Sequence, residues 1–189
     1  MKLDVMILTG AGQIGMAIAR RMGYGKKIVV GDKKMENAED VARIMNNAGF
    51  DAIPVEMDLS SRASILSLIA EARKYGEFSM LVNAAGVSPS QASIETILKV
   101  DLYGTAVLLE EVGKVIKEGG VGITISSQSG YRMPALTADE DEQLGLHTDR
   151  GIARARYSST SKYPGYAARL PDGQTLQRET CNGRGREMG

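Results

Sequence analysis

Three glycines, two aspartates and a serine are the residues of this chain whose types and spacing could do chemistry, and each follows a short apolar run. Gly10, Gly12 and Gly15 lie in Val5-Met-Ile-Leu-Thr-Gly-Ala-Gly-Gln-Ile-Gly-Met-Ala-Ile-Ala19. Glycines so spaced, after a strand and before a helix, divide three tasks: a tight turn, close backbone approach to a pyrophosphate, and close packing of helix on strand. Gln13 and Ile14 open that helix, where free N–H groups and the positive dipole end face phosphate charge. The alternative is a purely structural turn, and the strand–turn–helix context favours the dinucleotide site. Asp32 ends Lys27-Ile-Val-Val-Gly-Asp32. A carboxylate there accepts hydrogen bonds from the adenosine ribose and repels a 2′-phosphate, so NAD is expected over NADP despite Lys33 and Lys34. Asp58, in Asp58-Leu59-Ser60, can hydrogen-bond near the adenine or start the next helix. Asn83-Ala84-Ala85-Gly86 is small enough for a ribose or nicotinamide to lie close, and Ser126-Ser127 follows another apolar run.

The elements that must position these residues alternate. Apolar runs predict strands at Val5–Leu8, Lys27–Asp32, Asp51–Met57, Phe78–Val82 and Val121–Ile125. Pro54 in the third suits an edge strand. Helical periodicity predicts Gln13–Tyr24 with Ile14, Ala17, Ile18 and Met22 on its apolar face, and Glu36–Ala48 with Val41, Ile44 and Met45. It also predicts Ser61–Tyr75 with Ile65, Leu66, Leu68 and Ile69, and one long helix over Ile94–Lys117. Strands alternating with helices imply an α/β fold, a doubly wound parallel sheet of the Rossmann type, with ligands beyond the carboxyl ends of the strands. All the residues singled out above fall at those ends.

Formal net charge is zero, which gives no argument for nucleic acid as a partner. Cys181 and His147 are the single cysteine and histidine, so neither a disulfide framework nor a metal site is expected. No apolar stretch is long enough to cross a bilayer and the N-terminus does not read as a signal peptide, so a cytoplasmic protein is expected. Composition changes near Leu144. Residues 1–144 carry 15 Lys and Arg against 19 Asp and Glu, whereas residues 145–189 carry 8 against 4 and hold neither Val nor Phe. A segment so poor in apolar residues cannot offset the entropy of ordering it. The expected organisation is a dinucleotide-binding domain at 1–144, incomplete at its C-terminal side, and a poorly ordered tail at 145–189.

Residues 1 to about 144 resemble the short-chain dehydrogenase/reductase family. The matching pieces are Thr9-Gly-Ala-Gly-Gln-Ile-Gly15, Asp58-Leu59, Asn83-Ala-Ala-Gly86, Val100-Asp-Leu-Tyr-Gly104 and Ile125-Ser-Ser127. The resemblance implies an oxidoreductase moving hydride between NAD and a secondary alcohol or ketone, with Ser127 orienting the substrate oxygen. It also implies a tyrosine acting as general acid or base and a lysine four residues later. Three departures stand out: the glycine turn is one residue shorter than usual, Ala84 replaces a common second Asn, and Asp101 replaces the Asn that kinks the long helix and joins a proton relay.

The Tyr-x-x-x-Lys pair is absent. None of Tyr24, Tyr75, Tyr103, Tyr131, Tyr157, Tyr163 and Tyr166 has Lys four residues on. Tyr157 and Lys162 are five apart, which on a helix turns the lysine off the tyrosine's face. Read instead from the second base of each codon, residues 145–189 permit a different sequence: Leu170-Pro171 permits Tyr and Gln174-Thr175 permits Lys. The surrounding run permits a continuous helix former with Ala, Val and Met at helical spacing. A one-base frame slip near Leu144–Gly145 accounts for both the missing pair and the changed composition. The chain as translated is therefore expected to be truncated in function and inactive, either as a non-catalytic NAD-binding module or as a damaged gene product. In the family the helix bearing the pair also helps form a subunit interface, so the resemblance gives no support for oligomerisation.

Overall fold

The computed structural model describes residues 3–127 together with 137 and 138. The composition break near Leu144, the tail 145–189, and Tyr157, Lys162, His147 and Cys181 all lie outside the described residues. Among those described, 3–85 and 110–125 form one compact unit, and 86–109 with 126–127 belong to a second.

The first unit is built on a five-stranded parallel sheet in the order β3-β2-β1-β4-β5. The strands are β1 (Leu3–Thr9), β2 (Lys26–Asp32), β3 (Asp51–Glu56), β4 (Gly76–Asn83) and β5 (Val121–Thr124). Their apolar runs are buried on both faces, as a parallel sheet requires: Val5, Met6, Ile7, Leu8, Val29, Leu81 and Val82 are all within the core. Pro54 sits on β3 opposite Val30 of β2, and β3 is an edge of the sheet among the described residues, a position where a residue without an N–H is tolerated.

Helix α1 (Gln13–Met22) and helix α2 (Met35–Asn47) cover one face, where Met6, Leu8, Ile28, Val30 and Val82 cluster with Ala19, Val41 and Met45. Helix α3 (Arg62–Arg73) covers the other. A Cβ on Gly31 would lie 3.2 Å from Leu68 of α3, so Gly31 makes room for that helix. Ser61 caps α3 by accepting from the Ser64 N–H. The sheet is thus doubly wound.

The structure corrects two of the expected helix faces. In α1, Gly15 and Ala19 are the buried residues, while Ile14 is 60% and Met22 43% exposed. Small residues let the helix lie tight on β1, since a Cβ on Gly15 would come within 2.8 Å of Leu8 Cδ1 and of the Gly10 carbonyl oxygen. Large residues at Ile14 and Met22 are pushed to the flanks. In α3, Ile65, Leu68 and Ile69 are buried as expected, but Leu66 faces outward.

The helix expected over Ile94–Lys117 is three pieces. Helix α4 (Ile94–Ile97) is capped by Ser93, a π-helical segment covers Leu98–Gly104, and helix α5 (Thr105–Gly113) follows. Val100, Asp101 and Leu102 are buried in succession, and a wider i→i+5 turn keeps neighbouring residues closer to one face than an α turn does. Asp101 is 1% exposed and accepts a 3.0 Å hydrogen bond from the Val87 N–H, so the residue standing in the usual Asn position holds the loop after β4.

Candidate cofactor site

The site in the first unit is assembled from the carboxyl ends of β1, β2, β3 and β4. Gly10 makes the turn out of β1 at φ +87°, a conformation suited to glycine, and its N–H donates to the Gly31 carbonyl at 2.8 Å. A Cβ at Gly10 would lie 2.5 Å from the Ala85 nitrogen and 2.7 Å from the Ala84 carbonyl carbon. The turn and the Asn83-Ala84-Ala85 backbone are therefore wedged together. Two bonds fix that contact: the Ala84 N–H donates to the Thr9 carbonyl at 2.8 Å, and the buried Thr9 hydroxyl donates to Asn83 Oδ1 at 2.6 Å.

Gly12 differs from its neighbours. Its φ of −91° is open to any residue, and a Cβ there would meet nothing within 4 Å. Neither local strain nor packing among the described residues explains a glycine here. Gly12 is also the N-cap of α1, which has no side-chain cap and no acidic residue in its first turn. Gln13 and Ile14 stand exposed at that turn, and Gly15 is buried against β1. An open surface at an uncapped helix N-terminus fits a pyrophosphate.

Asp32 is held by the turn itself. Its Oδ2 accepts from the Ala11 N–H at 2.9 Å, and its Oδ1 accepts from the Lys34 N–H at 2.9 Å and from Asn37 Nδ2 at 3.2 Å. Each carboxylate oxygen has two lone-pair sites, so Oδ2 has capacity for a second donor. Asp58 Oδ1 accepts from the Ser60 N–H and hydroxyl at 2.9 and 2.6 Å, and its Oδ2 pairs with Lys33 Nζ at 3.0 Å. Desolvation by burial pushes the Asp58 carboxyl up. The Ser60 hydrogen bonds and the Lys33 charge outweigh it and hold the group below the usual aspartate range. Leu59 is buried in the core and presents no side chain to the site.

Gly10, Gly12, Gln13, Ile14, Gly15, Asp32, Asp58, Leu59, Asn83, Ala84 and Ala85 all belong to this unit. Gly86 and Ser127 belong to the second, Gly86 exposed and Ser127 half-buried. The Ile125 N–H still donates to the Asn83 carbonyl at 2.9 Å, one residue past β5, and Ser126-Ser127 follows directly. Sequence reasoning missed Asn37, the Lys33–Asp58 pair and the Thr9–Asn83 bond. Asn37 does follow Asp32 by five residues, but that spacing carries no signal without the fold.

A parallel sheet in this order, with a glycine turn on its first strand and a carboxylate ending its second, defines a nucleotide-binding α/β protein of the Rossmann type. The family model described as short chain dehydrogenase matches residues 4–138, and the chain belongs to that family, whose members bind NAD(P). It is 36% identical over 133 residues to the short-chain dehydrogenase/reductase bsc3 of Alternaria brassicicola, covering 70% of this chain and 48% of that protein. It is 30% identical over 174 residues to the 7alpha-hydroxysteroid dehydrogenase of Bacteroides fragilis, covering 84% of this chain and 63% of that protein. The chain thus spans about half the length of the first of these relatives. Among solved structures, menthone neomenthol reductase from Mentha piperita shares the fold at a TM-score of 0.73 and 12% identity, covering 100% of this chain and 85% of that one. A Burkholderia phymatum short chain dehydrogenase/reductase in complex with NAD does so at 0.61 and 19%, covering 87% and 60%.

Proposed function

We propose that this chain is the cofactor-binding part of an NAD-linked oxidoreductase of secondary alcohols and ketones, and that as translated it binds NAD without turning substrate over. The observation that carries the reading is the Asp32 carboxylate, fixed by the Ala11 N–H of the glycine turn with one Oδ2 lone pair left for a ribose hydroxyl. Gly12 and the uncapped start of α1 receive the pyrophosphate; Asp32 takes the ribose and disfavours a 2′-phosphate by like charge. Asp58 would hydrogen-bond near the adenine, and Asn83–Ala85 would form a small-residue shelf for the nicotinamide side. When bound, the nicotinamide supplies the redox chemistry by giving or taking hydride. Ser127 orients the substrate oxygen.

The proton step is where this chain falls short. General acid–base catalysis at a carbonyl needs a hydroxyl of lowered pKa beside the reacting oxygen, and no tyrosine here has a lysine four residues on. The second-base reading of residues 145–189, which permits Tyr at Leu170-Pro171 and Lys at Gln174-Thr175, favours a frame slip as the cause. Sequencing the coding DNA across codons 140–189 tests this: stops in the second-base frame, or the wrong codons at those two places, refute it. The binding reading is tested by titrating the full chain with NAD in a calorimeter and assaying NADH turnover alongside. Binding with no Ser127-dependent turnover is the expected result, and no binding would overturn it.

A further inference from the structure

Asp32 ends β2 and Asp58 lies two residues beyond the neighbouring strand β3, yet they hold very different partners. Asp32 is satisfied by uncharged donors: two backbone N–H groups and the Asn37 amide. Asp58 carries an ion pair, with Lys33 Nζ 3.0 Å from its Oδ2. Lys33 is the residue directly after Asp32, and its side chain is 69% exposed. It is therefore well placed in the chain to be the cation for a 2′-phosphate beside Asp32, and it is instead drawn across to Asp58 in the loop after β3.

The Asp58 side of the pair is the fixed one. Ser60 holds Oδ1 through both its N–H and its hydroxyl, and the Asp58 N–H donates to Ser64 Oγ at 2.9 Å. The lysine stem is long and flexible, so its ammonium settles where the anchored carboxylate stands. Lys34 is the other nearby cation; its N–H holds Asp32 Oδ1, and its exposed side chain makes no ion pair among the described residues.

Resting on the dinucleotide site above, we propose that Asp58 is a specificity-determining residue: by holding the Lys33 ammonium on the β3 side, it withholds that charge from a 2′-phosphate and leaves Asp32 to exclude NADP unopposed. Serving the phosphate would require Lys33 to leave Asp58, giving up one charge-assisted bond to gain another. NADP thus gains little from a lysine that stands next to its subsite. Removing the Asp58 charge frees the lysine.

The test is a set of NADH and NADPH fluorescence titrations of the full chain and of the variants Asp58→Asn, Lys33→Gln and the double variant. The ratio of the two dissociation constants is the readout, with circular dichroism to check folding. Asp58→Asn is expected to move the ratio toward NADPH by about fivefold, the upper worth of a largely exposed ion pair. The double variant returns it to within about twofold of the parent, and Lys33→Gln alone also leaves it within about twofold, because that lysine is already committed. A folded Asp58→Asn with an unchanged ratio overturns the proposal. So does a gain that survives in the double variant, which assigns the effect to Lys34 or to reduced repulsion. Lys33→Gln needs no change at Asp58: if it alone worsens NADPH binding severalfold, the lysine was serving the phosphate all along. Failure of the parent chain to bind NADH would instead overturn the dinucleotide site itself.

Discussion

Replacing Gly12 and Gly10 by alanine, one at a time, separates a glycine kept for a ligand from a glycine kept for the fold. At Gly10 the added Cβ would sit 2.5 Å from the Ala85 nitrogen, where backbone must move, and φ is +87°. Left-handed backbone costs a non-glycine residue roughly 1–2 kcal/mol and overpacking roughly 1–3, so Gly10→Ala loses about 2–5 kcal/mol. That is a large part of the roughly 5–15 kcal/mol that holds a domain folded. It lowers the melting temperature by about 4–20 °C at about 2–4 °C per kcal/mol. At Gly12 the added Cβ meets nothing and φ is −91°, so only a modest N-cap preference is lost and stability stays within about 1 kcal/mol. Its cost falls on binding instead. A methyl group in the space proposed for the pyrophosphate costs about 1–3 kcal/mol of overpacking, which weakens NAD by roughly 5- to 150-fold. Urea unfolding and NAD calorimetry on both variants provide the assay. If Gly12→Ala keeps its NAD affinity, the open space at Gly12 is not phosphate space. If Gly10→Ala is as stable as the parent, the wedge against Ala84 and Ala85 is not what fixes the turn.

Other expectations follow from single contacts. Thr9→Val removes the buried donor to Asn83 Oδ1 and should cost about 1–3 kcal/mol in denaturant unfolding, a loss that Thr9→Ser largely restores. Arg62 pairs with Glu111, which is 8% exposed, and with Glu110; Lys114 bonds both carboxylates as well. Because Lys114 remains, Arg62→Ala should cost about 1–2 kcal/mol rather than the larger penalty of an abandoned buried charge, and Arg62→Ala with Lys114→Ala should cost more than the two separately. The lowered pKa of Asp58 gives a pH signature. Its contribution to stability is full above the unfolded value of about 3.9 and is lost as pH falls through the folded value, so Asp58→Asn should flatten the acid limb of a stability–pH curve below about pH 4. An unchanged acid limb would refute the assignment.

The strands and the candidate site residues were largely legible because both depend on local pattern. A buried parallel strand must be apolar throughout, and a glycine turn between strand and helix has few alternatives, so β1, β2, β4 and the turn at Gly10–Gly15 stand out in the sequence. The face of α1 was not legible, because periodicity counts large apolar residues whereas this helix packs through Gly15 and Ala19. Nor was the π segment at Leu98–Gly104, whose helical pattern reads the same until burial shows Val100, Asp101 and Leu102 inward together. The partners that tune the site are tertiary: Asn37 on Asp32, Lys33 on Asp58, Thr9 on Asn83. Nothing in their spacing announces them, since each depends on which strand lies beside which.

The central proposal is that residues 1–144 form an NAD cradle and that the chain as translated binds NAD without turnover. One calorimetric titration of the full 189-residue chain with NAD, repeated on Asp32→Ala, tests the cradle most directly. Saturable binding of one NAD per chain is expected, weakened by about tenfold or more when the Asp32 carboxylate is removed. Absence of saturable heat, or an Asp32→Ala variant that binds as tightly as the parent, would contradict it.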